Sequence, residues 1–441
     1  MKLFKTLRQP VDNSPLIIFR IAFGLLLMYL FSYDILSGYV YTDFIKPPFT
    51  FSFIGFEFLQ PLPGNGMYYY FGAMALLSLM IALGAWYRLS IVCLSILWTI
   101  IYLMQKSGYN NHYYLVVLLC WLMAFLPANR YCSVDVKRKA VTETGKCSRY
   151  CLFIFIVQAA IIYFFAAISK LTSDWFSGKF IAIAFSSLSR RPISGLIYGQ
   201  HWFQLFICYG GFFFDLLIVP LLLWKRTRKY AFIIYCLFHL FNSFTFNISI
   251  FPYLSIALGI FFFDGNKIRR IFFAHRLPPT SNSMPANAFK EKILIYCLGV
   301  YFLFQLIIPM RSWFYPGNVF WNEEGYRMSW KMMLRAKNGT IYFKVIDPVS
   351  DKCWKIDPSK MFTSSQVTSL ATSPDIMWQY SQRIKADFEK KNIPGVKVYA
   401  IGQVSLNRST PMPLVDTTVD LASVKWYAFR HSEWITKGPE K

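Results

Sequence analysis

The stretch Tyr150-Cys-Leu-Phe-Ile-Phe-Ile-Val-Gln-Ala-Ala-Ile-Ile-Tyr-Phe-Phe-Ala-Ala-Ile-Ser-Lys170 decides the class of fold, because no charged side chain occurs before its final lysine. About 20 apolar residues are enough for an α-helix to cross the hydrocarbon core of a bilayer. The stretch therefore predicts a membrane span with a primary amine at one end. An apolar flank favours the uncharged form of that amine, which can then act as a base. We interpret Lys170 as a candidate catalytic base; the commoner role of such a lysine is to mark the end of a span.

The composition of the whole chain also predicts an integral membrane protein. Of its 441 residues, 55% are hydrophobic and 15% are charged, whereas soluble domains carry about 25% charge. Apolar stretches near the length of a span recur along the first three quarters of the chain. We predict nine spans, at residues 15–38, 66–87, 88–105, 112–128, 150–170, 201–224, 229–247, 248–265 and 292–310. The third, fourth and eighth are short enough to be re-entrant.

Lysine and arginine accumulate on one side of these predicted spans, which orients them in the membrane. Basic residues precede the first span and fill the connections after the fourth, sixth and eighth spans. The sequence therefore predicts a cytoplasmic N-terminus and a first span that is retained as a signal anchor. The extracytoplasmic side would hold the turn from Asn110 to His112, the segment after Lys170 and everything beyond residue 311. We expect a bacterial inner membrane or a topology of the endoplasmic-reticulum type.

The character of the sequence changes at about residue 311, which divides the chain into a helical bundle at 1–310 and a C-terminal domain at 311–441. Segments 340–346 and 396–404 alternate apolar and polar residues, as β-strands do. Residues 374–392 predict one amphipathic helix. Its apolar positions are Ile376, Met377, Tyr380, Ile384 and Phe388. The order strand, strand, helix, strand, strand predicts a small extracytoplasmic α+β domain docked on the bundle.

Charge and cysteine content argue against several classes of site. The formal net charge is +24, but residues after 310 carry 19 basic and 12 acidic side chains, which leaves +17 for the membrane part. That excess reflects the cytoplasmic loops and attraction to anionic lipid, and it does not indicate nucleic acid. The nine cysteines form no CxxC pair, and only Cys353 lies in the C-terminal domain, which predicts no internal disulfide there. The five histidines have no neighbouring ligands at metal spacing, so we predict no metal site.

Short motifs along nearly the whole chain resemble those of one known family. In the bundle they are 56–63, 102–106 with 110–112, 127–135, 163–166 with 170, 171, 174 and 175, and 238–243. In the C-terminal domain they are 326–333, 404–407 and Trp426. Each motif alone is weak, but their colinear order is specific. The chain resembles the vitamin K-dependent γ-glutamyl carboxylases and their bacterial relatives, which share the horizontally transferred transmembrane (HTTM) domain.

The resemblance implies a membrane-bound carboxylase, of the carbon–carbon lyase class, that couples two reactions. Reduced vitamin K, a phylloquinol or menaquinol, is oxygenated by O2 to its epoxide, while a glutamyl side chain of a peptide or protein loses a γ-proton and takes up CO2. The γ-carbon is a very weak acid, so quinol oxygenation must generate a far stronger base in a site that excludes water. An apolar pocket within the bilayer supplies that dryness and also receives a lipid-soluble quinol.

The resemblance also assigns roles to residues of the bundle. Lys170 matches the base that deprotonates the hydroquinone, Asn111 a residue that hydrogen-bonds the quinol oxygen, and His112 a residue that supports proton handling during carboxylation. His239 matches a histidine needed for epoxidation, and we assign Asn242, on the same helix face one turn later, to cofactor binding. The residues alone leave other interpretations open, because Asn-Asn-His can cap a helix and a lone intramembrane histidine usually makes an interhelical hydrogen bond.

The start of the C-terminal domain matches a family segment that faces the active site and helps to hold glutamate and quinone. We assign Tyr326 and Trp330 to substrate binding, and Met332 and Met333 to cofactor binding. Taken without the resemblance, these residues form an aromatic-rich segment, which more often packs against a neighbouring domain than forms a site.

Arg190 and Arg191 are candidate clamps for the substrate carboxylate, because a guanidinium group binds carboxylate through two hydrogen bonds. They do not align with the family's arginine, and a role as surface anchors is the preferred interpretation. Larger family members bind a propeptide through a longer C-terminal region, whereas this chain ends at Lys441, and residues 39–65 contain no cysteine for the disulfide of the animal enzymes. We therefore expect no propeptide-based selection of substrate.

Two other functions stay open on the sequence alone. One is a quinol oxidase or epoxidase that does not carboxylate peptide. The other is a non-catalytic membrane protein whose outer domain binds a partner.

Overall fold

The computed structural model describes residues 2–246, 248–275, 279, 288–332 and 334–439. Within these ranges the chain is mostly helical, and a small sheet lies near its C-terminus. The helices before residue 311 are α1 Lys2–Leu7, α2 Ser14–Leu36, α3 Gly66–Leu83, α4 Tyr87–Met104, α5 Asn111–Ala124, α6 Val134–Lys137, α7 Tyr150–Ser169, α8 Ser173–Phe176, α9 Lys179–Ala184, α10 Ser186–Ser189, α11 Pro192–Tyr198, α12 His201–Leu223, α13 Arg228–Thr245, α14 Phe251–Leu258, α15 Gly265–Phe272 and α16 Ala288–Met310. Strands β1 Pro10–Asp12 and β2 Lys146–Ser148 pair antiparallel and join the N-terminus to the start of α7.

Six helices of the described residues are long and apolar enough to cross a membrane. They are Ser14–Leu36, Gly66–Leu83, Tyr87–Met104, Tyr150–Ser169, His201–Leu223 and Phe289–Trp313. The predicted spans 112–128, 229–247 and 248–265 also form helices, but α5 and α14 are short and α13 has a more polar sequence. The predicted count of nine spans is therefore not confirmed.

Helix α5 begins where the sequence offers a cap. The Asn110 side chain accepts a hydrogen bond of 2.8 Å from the backbone N–H of Tyr113, and Asn110 itself has an extended backbone. Such a cap satisfies one of the donors that a helix N-terminus leaves free. It fixes His112 in the first turn of α5.

After residue 311 an antiparallel sheet of three strands forms, in the order β4-β3-β5. The strands are β3 Lys337–Ile346, β4 Cys353–Ile356 and β5 Lys397–Leu406, and the helices are α17 Val319–Asn322, α18 Ser364–Thr372 and α19 Pro374–Glu389. The two predicted strands and the amphipathic helix are confirmed, and all five predicted apolar positions of α19 are buried. Helix α18 was not predicted. The expected fourth strand does not form among the described residues, where two isolated bridges, Val404 with Met412 and Val415 with Ile435, follow instead.

The sheet region packs on the connections between the helices of the bundle. Phe51, from the connection before α3, is fully buried in the core that also contains Phe343 and Tyr380. Asn407, just after β5, donates a hydrogen bond of 3.1 Å to the carboxylate of Asp174 in α8. The end of β5 thus lies against the segment that follows Lys170.

Candidate active site

Helices α5, α7, α12, α13 and α14 enclose a cavity of about 510 Å³. Its wall is mostly phenylalanine, isoleucine and leucine. The polar and titratable side chains that line it are His112, Tyr163, Lys170, Asp215, Tyr235, His239, Asn242 and Ser255. Binding pockets for small molecules have this size and this arrangement of a few polar groups in an apolar wall.

Lys170 lies at the C-terminal end of α7, and only 7% of its surface is exposed. Its amine contacts the carboxylate of Asp215 and lies 3.4 Å from the carbonyl oxygen of Ala166. It also lies 5.2 Å from the centre of the Trp175 ring. The amine is therefore dry, as the sequence predicted, but it has a buried carboxylate as its partner.

The apolar flank of Lys170 in the sequence gives no sign of Asp215 as its partner. The two residues are 45 positions apart and meet because α12 packs against α7. A signal for Asp215 did exist. It is the only acidic residue in the apolar helix His201–Leu223, and an ionisable residue within a span is a functional candidate by default.

His239 of α13 is buried, and its Nε2 is hydrogen-bonded to the Tyr163 hydroxyl at 2.8 Å. Tyr163 lies on α7, two helical turns before Lys170. The helix α7 thus presents two polar groups, a phenol and an amine, to the same cavity.

His112 and Asn242 line the cavity without a hydrogen-bond partner for their side chains among the described residues. The imidazole of His112 is stacked on the Phe251 ring, with the ring centres 3.7 Å apart and the planes inclined by 19°. Stacking fixes the plane of the imidazole and leaves its nitrogen atoms free for a ligand. These two side chains are the free polar groups that a bound molecule would meet.

The segment 326–332 contributes Met332 to the cavity wall. Trp330 is almost fully buried, with its ring 5.2 Å from that of Tyr114. The Tyr326 hydroxyl donates a hydrogen bond of 3.2 Å to the carbonyl oxygen of Lys331. Met333 lies outside the described residues. Of the predicted residues in this segment, the structure therefore brings Met332 to the cavity and places Tyr326 and Trp330 behind it.

Asn111 does not line the cavity. Its side-chain N–H donates a hydrogen bond of 3.1 Å to the carbonyl oxygen of Lys331, and its oxygen accepts one of 2.8 Å from the Tyr109 hydroxyl. Asn111 thus ties the start of α5 to the residue before Met332. Its predicted contact with the quinol stays a prediction.

Arg190 and Arg191 are both exposed, at the junction of α10 and α11, and neither lines the cavity. The structure does not bring them to Lys170. Their predicted contact with a substrate carboxylate is therefore not supported by their position, and it stays a prediction.

Two family models match the chain. The HTTM domain matches residues 8–266, and the vitamin K-dependent gamma-carboxylase lumenal domain matches residues 290–441. The chain belongs to the vitamin K-dependent γ-carboxylase family. The family indicates a carboxylase-like function with vitamin K as cofactor, and the name of the second domain indicates an extracytoplasmic C-terminal region. No solved structure matches the chain.

The cavity fits the cofactor of the γ-carboxylase family. A reduced naphthoquinone has two hydroxyl groups on a flat apolar ring system, and it needs a few hydrogen-bonding groups in an otherwise apolar pocket. His112 and Asn242 supply free polar atoms, and Lys170 and Asp215 supply a buried ion pair. These residues would hold the polar ring of the quinol.

A second group of buried charges joins the bundle to the sheet region. Asp375 at the start of α19 lies 2.8 Å from the amine of Lys106, in the connection between α4 and α5, and 2.7 Å from the guanidinium of Arg327. Glu323 contacts Arg335 and lies 3.3 Å from the amine of Lys337. The side chains of Lys106 and Asp375 are 1% and 7% exposed, so this is a buried network rather than a set of surface pairs. No pattern in the sequence predicts this network.

The acids of this network are held in their charged form. Burial by itself would raise the pKa of Glu323, but the nearby charges of Arg335, Lys337 and Arg327 outweigh it and lower that pKa to about 2. Burial likewise opposes ionisation of Asp375, and the charges of Arg327 and Lys106 lower its pKa well below the usual range. Burial is also the main reason why the pKa of Lys106 is lowered. The network fixes the position of α19 and of the segment that leads to Met332.

Proposed function

We propose that this protein is a vitamin K-dependent γ-glutamyl carboxylase that couples oxygenation of a reduced naphthoquinone to carboxylation of peptidyl glutamate. The observation that carries this proposal is the meeting of Lys170 and Asp215, His239 and His112 in one apolar cavity. The bound quinol, with O2, would supply the strongly basic chemistry that removal of the γ-proton needs. The side chains of the cavity bind the quinol, exclude water and move its protons.

Lys170 and Asp215 act together as the acceptor of the quinol hydroxyl proton: the amine of Lys170 passes a proton to the carboxylate of Asp215 and takes the proton of the hydroxyl in its place. In an ion pair the amine is protonated and the carboxylate is not. The pair can therefore take up one further proton. Proton uptake leaves a net positive charge on the pair beside the oxygen atom that lost the proton. In a dry site such a charge stabilises an anion far more than it would in water.

His239 and Tyr163 form a fixed hydrogen-bonded pair on the wall of the same cavity. We assign to them the orientation of the quinol ring during epoxidation, with Asn242 as a further contact. His112 has free nitrogen atoms, and we assign to it a proton transfer in the carboxylation step.

The glutamyl side chain would reach the cavity past residues 326–332, where Asn111 and Tyr326 hold the carbonyl oxygen of Lys331. This places the peptide on the side of the sheet region, at 311–441, and leaves the bundle at 1–310 for the quinol. It requires that region to be extracytoplasmic and the N-terminus to be cytoplasmic. Lys331 is the cation we assign to a peptide carboxylate there: its amine forms no ion pair among the described residues and lies 5.9 Å from the centre of the Phe320 ring.

A single assay tests the proposed reaction. The purified protein in lipid nanodiscs is given reduced vitamin K, O2, labelled bicarbonate and a glutamate-containing peptide. The proposal expects both fixed label and quinone epoxide. Epoxide without label would select a quinol epoxidase, and the absence of both products would overturn the enzymatic proposal in favour of a non-catalytic membrane protein.

The two histidines of the cavity are expected to differ in their effects. His239→Ala should lower epoxide and label together, because it removes a residue of the quinol site. His112→Ala should lower label by about 10²-fold, the smaller range of a general acid–base contribution, and epoxide much less. Both products are measured in the same reaction, by chromatography and by acid-stable radioactivity. An equal loss of both products in His112→Ala would contradict this division of roles.

A further inference from the structure

A groove of about 430 Å³ lies between α5 and α16, apart from the cavity that contains Lys170. Near the start of α5 and the end of α16 the two helices are joined, because the Gln305 side chain donates a hydrogen bond of 3.0 Å to the Tyr114 hydroxyl. The groove lies toward the other end, where α5 ends and α16 begins. Its lining includes Trp121 and Phe125 at the end of α5, and Lys290, Leu294, Cys297 and Tyr301 of α16. These four residues of α16 recur every three or four positions, so one face of that helix forms a wall of the groove.

The groove has the depth of one leaflet of a bilayer. Along α16 its lining extends from Lys290 to Tyr301, and eleven residues of an α-helix rise by about 16 Å. Half of the hydrocarbon core of a bilayer is about 15 Å thick. Tyr301 closes the deep end, because its hydroxyl donates a hydrogen bond of 2.5 Å to the Gln158 side chain of α7. All lining residues of α16 between Lys290 and Tyr301 are hydrophobic, so the groove suits one acyl chain.

Basic side chains surround the shallow end of this groove. Lys290 is exposed and forms part of the wall. The guanidinium group of Arg88 in α4 donates a hydrogen bond to the carbonyl oxygen of Ala124 and lies 3.5 Å from that of Phe125. Burial and, after it, the charge of Arg88 lower the pKa of Arg130, so the two guanidinium groups lie near each other. Neither arginine forms an ion pair with a residue that the structure describes.

The acidic side chains near this end are already bound by other parts of the protein. Glu291 lies 2.7 Å from the guanidinium group of Arg8. Asp135 accepts hydrogen bonds of 2.8 and 3.0 Å from the backbone N–H groups of Trp86 and Tyr87. The charge at the shallow end therefore stays positive and attracts an anion. Basic residues at the ends of spans are common, but here they stand at the mouth of an apolar groove.

We propose that the groove between α5 and α16 binds one anionic phospholipid. Its phosphate lies among Lys290, Arg88 and Arg130, and one acyl chain lies along Leu294 and Cys297 toward Tyr301. Burial of that chain and attraction of the phosphate to the basic groups both favour binding. The lipid holds α16 on α5 over the half of the helix that the Gln305 hydrogen bond does not reach. Because α16 leads into the sheet region, the lipid also stabilises the connection between that region and the bundle, whatever reaction the cavity performs.

The test changes the head and the chain of the site separately. Lys290→Gln removes a charge at the mouth, and Lys292→Gln is its matched control, because Lys292 is exposed on the same helix and lies outside the groove lining. Cys297→Trp fills the path of the chain, and tryptophan and cysteine have similar helix propensities. Val300→Trp is the control for it, because Val300 is 55% exposed and does not line the groove. Thermal unfolding checks that all four variants fold like the parent protein.

Lipid binding is measured by native mass spectrometry of the full chain released from detergent micelles. Phosphatidylglycerol, which is anionic, and phosphatidylcholine, which is zwitterionic, are added with identical acyl chains. We expect the parent protein to retain one phosphatidylglycerol in preference to phosphatidylcholine. Lys290→Gln should weaken binding of phosphatidylglycerol by about fivefold and leave that of phosphatidylcholine unchanged. Cys297→Trp should weaken binding of both lipids, and the two control variants should bind both like the parent protein.

Each other outcome overturns a stated part of the proposal. Equal binding of the two lipids by the parent protein, or equal losses in Lys290→Gln and Lys292→Gln, would show that the basic groups do not form a headgroup site. Binding by Cys297→Trp at the parent affinity would show that the chain does not lie in the groove. A complex of two chains that carries no lipid and is lost in Cys297→Trp would assign the groove to a second copy of the protein instead.

Discussion

Lys170→Met is expected to abolish epoxide formation and label fixation together, because both reactions depend on proton transfer from the quinol to the pair of Lys170 and Asp215. Loss of a positioned base lowers a rate by about 10²–10⁴-fold. Methionine keeps most of the length and apolar packing of the side chain and removes only the amine. Epoxide and label are measured in one reaction, as for the histidine variants. Epoxide formation at the parent rate would show that Lys170 is not the base.

A structural role of Lys170 has to be separated from a catalytic one, because the methionine variant leaves the carboxylate of Asp215 buried without its partner. Lys170→Arg keeps a cation beside Asp215, but a guanidinium group cannot give up its proton in a protein. A merely structural cation would be replaced by arginine with activity retained. The proposal instead expects Lys170→Arg to fold and to remain inactive, while the double variant Lys170→Met with Asp215→Asn folds better than Lys170→Met alone.

A nearby lysine provides the control for these variants. Lys179 lies on α9, 3.8 Å from the carboxylate of Asp174, and its side chain is 65% exposed. Exposed pairs of this kind contribute about 0–1 kcal/mol to stability. Lys179→Met should therefore leave the yields of epoxide and of label unchanged, although it makes the same chemical substitution only a short distance along the chain.

The sequence predicted those parts of the fold that follow from local patterns. Ile376, Tyr380 and Ile384 repeat at helical spacing, and they are buried on one face of α19. Lys170 was singled out by its place at the end of one apolar stretch, and the structure buries its side chain, with 7% of the residue exposed. Span counting was less successful, because α5 and α14 are apolar but end after few turns.

The parts that escaped prediction depend on contacts between distant segments. Asp215 meets Lys170 only because α12 packs against α7, and nothing in the residues around either one specifies that partner. Asn111 is adjacent to His112 in sequence, yet only His112 lines the cavity, because successive residues of a helix point in different directions. Asp375 and Lys106 are farther apart still, and no periodicity relates the two segments.

Asp375→Asn is expected to be the most destabilising single substitution in the buried network. The carboxylate of Asp375 neutralises Lys106 and Arg327, and asparagine has nearly the same shape but no charge. Removing one partner of a buried pair leaves an uncompensated charge and costs about 3–5 kcal/mol. The free energy of unfolding is measured by denaturant titration in detergent, with tryptophan fluorescence as the signal. A loss below about 1 kcal/mol, the range of surface pairs, would show that the network does not hold the sheet region on the bundle.

Asp387→Asn is the matched control, because Asp387 lies on the same helix and pairs with Arg383 at 3.4 Å while 42% of its side chain is exposed. Asp387→Asn should lower the free energy of unfolding by about 0.2–0.5 kcal/mol, the contribution of an exposed ion pair between residues four apart on a helix. Both variants replace an aspartate by asparagine, so the difference between their losses in the free energy of unfolding measures the effect of burying the ion pair.

The dependence of stability on pH provides a second measure of the same network. The pKa values of Asp375 and Glu323 are both lowered in the folded state. Their contribution to stability is therefore complete at a pH above their pKa values in the unfolded chain, near 4. It is lost as the pH falls toward their pKa values in the folded protein. The parent protein should lose stability below about pH 4, and Asp375→Asn should lose less over the same range because one of the two titrating groups is gone. Parallel curves for the two proteins would show that Asp375 is not ionised in the folded state, and would thereby remove the electrostatic link between Lys106 and α19.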